Sequence, residues 1–263
     1  MLRAYWVYLK TSLALQLQYR VELAIWMLNR IVEPTVYLVV WRTVAAARGG
    51  VGGYDAADFA AYFITLMVVN QLTFTWIIHE FEWRVRTGEL SAMLLKPIHP
   101  IHGDIADNLA YKVLTLVILV PAAVLLSVLF KPAFEFSAAT LAAAAAALVV
   151  AYLIRFFIDW AFALSAFWTT RTAAINQIYF LLLLFCSGRL APLELFPGWL
   201  ERITWYLPFR WAVWFPVELA LGRLSPDVVA AGFRMQALWL LLGLLLLRTM
   251  WRLGIRKYAA VGS

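Results

Sequence analysis

The sequence predicts an all-α integral membrane protein: six transmembrane helices, an N-terminal interfacial helix, a cytoplasmic helix between spans two and three, and a re-entrant outer helical hairpin. Three observations carry that expectation. Of the 263 residues 64% are hydrophobic and only 14% charged, a balance foreign to a soluble fold of this size. At roughly 20 apolar residues per crossing of a ~30 Å hydrocarbon core, the apolar stretches leave room for about six spans in one membrane domain covering 1–263. Basic residues gather at the ends of apolar runs, so the positive-inside rule and anionic headgroups account for the net charge of +7. Membrane lipid is therefore an expected partner and nucleic acid is not.

The first twenty residues do not read as a cleaved leader, because Lys10, Gln16, Gln18 and Arg20 interrupt any apolar core. Leu2, Trp6, Leu9, Leu13 and Leu17 recur at helical spacing, as in a helix lying in the cytoplasmic interface over 1–20. A first span follows from Val21 to Ala47 with Asn29, Arg30, Glu33 and Pro34 near its middle. Arg30 and Glu33 stand three apart and can pair, and Pro34 bends the helix. The glycine-rich loop 48–58 has little basic content and is placed outside. The second span, Phe59 to Ile78, contains Asn70, Gln71 and three threonines that want partners in a bundle.

Residues 79–108 form the longest polar segment between spans, and the positive-inside rule places it in the cytoplasm. Its first part, Glu80 to Pro97, alternates sign at Glu80, Glu82, Arg84, Arg86 and Glu89, then sets Leu90, Met93 and Leu94 at helical spacing. A short helix along the membrane or against a partner fits that pattern. The third span runs from Tyr111 to Phe130. The fourth stretch, Ser137 to Trp168, is ~48 Å long as one helix and must overshoot the hydrocarbon, with Arg155 and Asp159 paired near its inner end. Thr169 to Thr172 makes an inner turn. A fifth span, Ala173 to Ala191, carries Asn176 and Gln177 near its start. In 192–218 prolines recur every five to eleven residues among tryptophans, which suits a re-entrant pair of short helices on the outer face. The sixth span is Val228 to Leu247, followed by a basic tail; both termini are cytoplasmic.

No phosphate loop, dinucleotide fingerprint or paired carboxylates in a polar cleft are present in the sequence, so it shows no recognisable machinery for hydrolysing a nucleotide. Cys186, the single cysteine, excludes an internal disulfide or thiolate cluster. His99 and His102 have a spacing that permits a metal, with Asp104 and His79 on the same side, but Pro97 and Pro100 argue for a surface turn.

Arg86-Thr-Gly-Glu-Leu-x5-Lys96-Pro97, with a second proline at Pro100, resembles the inner-loop motif of six-span bacterial permeases. Together with the order of spans, it makes the whole chain similar to the transmembrane permease subunit of ATP-binding cassette exporters of the second (type 2) export class. The resemblance implies that no catalytic residue lies here and that no cofactor is bound by this chain, ATP and Mg being held by a separate ATPase subunit in two copies. It implies a coupling helix that docks on that ATPase through Glu82, Arg86, Gly88, Glu89, Leu90, Met93, Leu94 and Lys96. It further implies a dimer with a second permease, identical or homologous, whose interface or pathway takes in Asn29, Arg30, Glu33, Asn176 and Gln177. The expected function is export of an amphipathic or hydrophobic substrate across the cell membrane. Two alternatives stay open: an ion-coupled transporter or channel using Arg30, Glu33, Arg155 and Asp159 as a charge relay, and a lipid-modifying enzyme using His79, His99 and His102.

Overall fold

The computed structural model describes residues 2–169 and 172–258, and among them every regular element is helical. The chain opens with α1 (Leu2–Gln18), continues as α2 (Arg20–Arg48), and turns at a glycine-rich loop into α3 (Ala56–Thr73). Asp55 starts α3 with a reciprocal capping box to Asp58, which satisfies two orphan donors at the helix end. The short α4 (Ile77–Thr87) and α5 (Glu89–Leu94) follow, then α6 (Ile101–Phe130) and α7 (Ala138–Ala163), the last capped by Ser137 and extended by a 3-10 turn over Leu164–Phe167. After α8 (Ala173–Cys186), two short helices, α9 (Gly198–Thr204) and α10 (Phe215–Ala220), precede α11 (Pro226–Gly254).

Among the described residues five helical stretches are long and apolar enough to cross a membrane: Arg20–Arg48, Ala56–Thr87, Ile101–Phe130, Ala138–Phe167 and Pro226–Gly254. They account for five of the six expected crossings. The fifth stretch was expected to span from Ala173 to Ala191, but α8 stops at Cys186 after 14 residues, about 21 Å at the usual rise. Its continuation is irregular and covered by protein. Tyr62 donates to the Gly188 carbonyl at 2.8 Å, and Trp41 Nε1 donates to the Leu190 carbonyl at 2.9 Å. Gly188 has φ +82°, and a Cβ there would lie 2.4 Å from the Tyr62 hydroxyl, so only glycine fits this passage. Such backbone is tolerated at membrane depth when its carbonyls are satisfied in this way.

Three further boundaries differ from the sequence reading. Residues 101–108, expected in the inner loop, form the first turns of α6, because Pro100 ends the preceding irregular stretch and directly precedes a helix it does not interrupt. The second span is broken at Phe74–Trp76, where Phe74 is extended (ψ 142°). The inner turn expected at Thr169–Thr172 falls at 170–171 outside the described residues. The inward face of α1 is partly polar: Tyr5 bonds His102, Ser12 bonds Asp107, and Gln16 donates to the Asp107 carbonyl at 3.0 Å, with Leu9 and Leu13 half-buried beside them, while Trp6 and Leu17 stay exposed.

The core sits where α3, α7, α10 and α11 meet, around the fully buried Phe59, Tyr62, Phe63, Trp211 and Phe215. Gln236 stitches this region: its Nε2 donates to the Ala147 and Trp211 carbonyls, both at 2.9 Å. On α10 Glu218 is buried, accepting from Tyr54 at 2.9 Å, with Glu194 3.4 Å from the same hydroxyl. Glu218 lies outside the five long stretches, and burial, reinforced by Glu194, pushes its carboxyl up from 4.5 to about 7. A raised carboxyl favours the folded state most below the ordinary value and loses that favour as pH climbs to the folded one. Thermal stability is therefore expected to fall between pH 4.5 and 7, by on the order of 3 kcal/mol. Glu218→Gln should flatten that slope in melting curves; an unchanged slope assigns it to another group.

Candidate functional site: a charged elbow tied to the helix ends

The turn between α4 and α5 is set by Gly88 at φ +77°, a left-handed conformation that ends one helix and opens the next. One side of this elbow is anchored. Phe81 is fully buried, with ring centroids 5.3 Å from Trp160 and 5.5 Å from Phe167. Arg84 is buried too: its Nη1 donates to Asp104 Oδ1 at 2.7 Å, and Glu80 stands 3.4 Å from its Nη2. Trp160 Nε1 completes the node by donating to Asp104 Oδ2 at 2.8 Å. Thus α4, the start of α6 and the end of α7 share one charged, aromatic knot. The end of α11 joins through Trp251, 5.4 Å from Trp160, and through Tyr258, whose hydroxyl lies 2.8 Å from Ser91 of α5.

The other side is free. Trp83 is 54% exposed and Leu95 88%, and Arg86, Glu89 and Lys96 are exposed beside them. Of the residues expected to face a partner, Glu82 is half-buried, held by Arg86 at 3.7 Å and by the Thr172 hydroxyl. Met93 and Leu94 are half-buried. Leu90 is a correction: it was expected on the outer face but is fully buried, because the left-handed turn at Gly88 re-aims α5 and carries it into the core cluster. Trp83 and Leu95 take the outward position instead. Their signal in the sequence was weak, since both lie off the apolar stripe of Leu90, Met93 and Leu94. Arg84, Asp104 and Trp160 were also missed; Arg84 sat in the alternating charges, but its partner lies 20 residues on.

The mid-span polar residues sort differently from the sequence reading. Arg30 and Glu33 do not pair. Glu33 receives both its bonds from Arg189 Nη2, at 2.7 and 2.8 Å, while the Arg30 guanidinium lies over the Phe74 ring, 3.4 Å from its centre. Arg155 and Asp159 do not pair either: Arg155 donates to Asn70 at 3.1 Å and to Thr73 at 2.8 Å, and Asp159 accepts from Thr75. Arg30, Arg155 and Asp159 find Phe74, Thr73 and Thr75 at or beside the helix break, whereas Glu33 is held by Arg189 in the irregular stretch after α8. Asn176 is buried with neither amide atom hydrogen-bonded, whereas Asn29 and Gln177 are exposed on α2 and α8. The structure does not bring these five residues to one point. The histidines part as well: the His99 ring lies tilted against Trp251, centroids 4.3 Å apart, and His102 bonds Tyr5. Burial and the nearby His102 lower the His99 pKa, so it sits neutral among these rings.

The arrangement can transmit displacement: a shift imposed on the exposed face of the elbow reaches the ends of α6, α7 and α11 through buried, hydrogen-bonded groups. No curated protein and no solved structure matches the chain. Over residues 31–262 the sequence matches the family described as ABC-2 family transporter protein. With its multi-pass helical architecture, the chain belongs to that family of ABC transporter membrane proteins.

Proposed function

We propose that this chain is the permease subunit of an ATP-driven exporter and that the α4–Gly88–α5 elbow is its coupling helix. Two ATPase subunits would bind ATP and Mg, draw together, and pull two such elbows, one on each permease of an identical or homologous pair. Both termini are then cytoplasmic, α8 with the covered stretch 187–192 makes the sixth crossing, and α9 and α10 form the re-entrant hairpin of the outer face. The substrate would be amphipathic or hydrophobic, and switching needs only a difference in its affinity between two states.

One observation carries the docking assignment: the elbow is rigidly knotted on one side while Leu95 and Trp83 stand exposed among Arg86, Glu89 and Lys96 on the other. Exposed apolar anchors within a charged rim fit a protein partner. Leu95→Asp combined with Glu89→Lys is expected to reduce co-purification of the ATPase at least tenfold, about 1.4 kcal/mol or more, with the melting temperature of the permease unchanged. Full retention of the ATPase by this variant sinks the assignment.

A further inference from the structure

A cavity of about 640 Å³ opens between α1, the start of α2, the α3–α4 break and α8. Its size is that of a small-molecule site, and its largely apolar wall carries a few charged groups placed unevenly. Arg30 supplies the cationic side and makes no ion pair among the described residues; Glu22, Glu80 and Asp159 supply the anionic side. Asp159 is 3% exposed and accepts from Thr75 with one oxygen; its Oδ1 has no partner within hydrogen-bond geometry, although the Tyr179 hydroxyl and the Arg155 and Lys112 charges face the same carboxylate. Trp26 and Phe180 flank the opening and are 58% and 38% exposed, so its rim is aromatic and faces the apolar surroundings of α2 and α8.

We propose that this cavity holds the headgroup of a zwitterionic phospholipid, phosphatidylethanolamine, with the phosphate on Arg30 and the ammonium toward Glu22, Glu80 and Asp159. A guanidinium matches a phosphate through paired N–H donors. Carboxylates beside aromatic faces suit an ammonium. An anionic headgroup would meet three carboxylates, and a bare cation would leave Arg30 without a counter-charge. The aromatic rim belongs at headgroup level, which lets the acyl chains leave along the exposed faces of α2 and α8. Placing this lipid in the cytoplasmic leaflet rests on the orientation proposed above.

The test is native mass spectrometry of the full chain, without the ATPase, titrated with palmitoyl-oleoyl phosphatidylethanolamine, the matching phosphatidylglycerol, free phosphoethanolamine and inorganic phosphate. The ethanolamine lipid is expected to bind at least tenfold more tightly than the other three. Arg30→Ala should weaken it at least tenfold, Glu22→Gln severalfold, and Arg30→Lys should recover part of the loss. Arg42→Ala, over Phe130 at the opposite end of α2, should change nothing. Equal retention of both lipids, or insensitivity to Arg30→Ala in a chain that melts as wild type, overturns the site as mere annular lipid. Free phosphoethanolamine binding as tightly as the lipid overturns the lipid assignment in favour of a soluble ligand. Because no ATPase is present, failure here leaves the docking assignment standing, and loss of docking leaves this one standing.

Discussion

Asp104→Ala is expected to destabilise the folded chain by about 3–5 kcal/mol, the scale for stripping one partner from a buried ion pair. The substitution leaves Arg84 charged and buried at 6% exposure with only Glu80 at 3.4 Å to answer it, and it removes the acceptor of the Trp160 indole. The size of the effect comes from what is left behind, not from the strength of the lost bond. The double variant Arg84→Met with Asp104→Leu should therefore recover most of the loss, since replacing both members by apolar groups avoids an orphaned charge. Thermal melts of the detergent-solubilised chain, followed by size-exclusion chromatography, separate the two. If the double variant melts below Asp104→Ala, the knot is held by something other than this pair. Limited proteolysis adds a local readout: Asp104→Ala should speed cleavage after the exposed Arg86 even where the bulk of the chain stays folded, because α4 loses its anchor to α6 and α7.

The long helices were legible because lipid imposes a length, and the apolar runs ending at Phe130, beginning at Ser137 and ending near Phe167 met it within a residue or two. The elbow was legible because Gly88 and the alternating charges are local signals. Everything that depended on a partner distant in sequence was not. Arg30 and Glu33 are neighbours on one helix, so spacing favoured a pair, but Arg189 is delivered to Glu33 by the early end of α8. Nothing in the apolar run to Ala191 announced that end except Gly188. The α3–α4 break has no proline or glycine at all. It exists because three tertiary contacts outbid the helix: Thr75 with Asp159, Trp76 edge-on to Tyr111 with centroids 4.3 Å apart, and Lys112 on the Phe74 carbonyl. Propensity has no view of such contacts.

Lys112 gives that break its sharpest prediction. Its Nζ donates to the Phe74 carbonyl at 2.9 Å and lies 4.4 Å from the centre of the Tyr152 ring, and the side chain is buried within the bundle. Lys112→Met sets two effects against each other. Burying an ammonium costs several kcal/mol, which methionine relieves, while an abandoned carbonyl costs about 1–3 kcal/mol. These nearly offset, so the melting temperature should move little. The carbonyl bond, however, is what fixes α4 relative to α3, and no other group on α6 caps it. Once it is lost, the elbow can shift without carrying the span. In the proposed exporter the ATPase should therefore still co-purify, because the exposed face of the elbow is intact, while substrate-stimulated ATP hydrolysis falls at least tenfold, matching about 1.4 kcal/mol of lost coupling. Lys112→Arg, which can still donate to Phe74, should retain part of it. Transport and stimulation at wild-type levels in Lys112→Met would mean that the drive passes through the Asp104 knot alone, and that the break at Phe74 is only a bend in the second span.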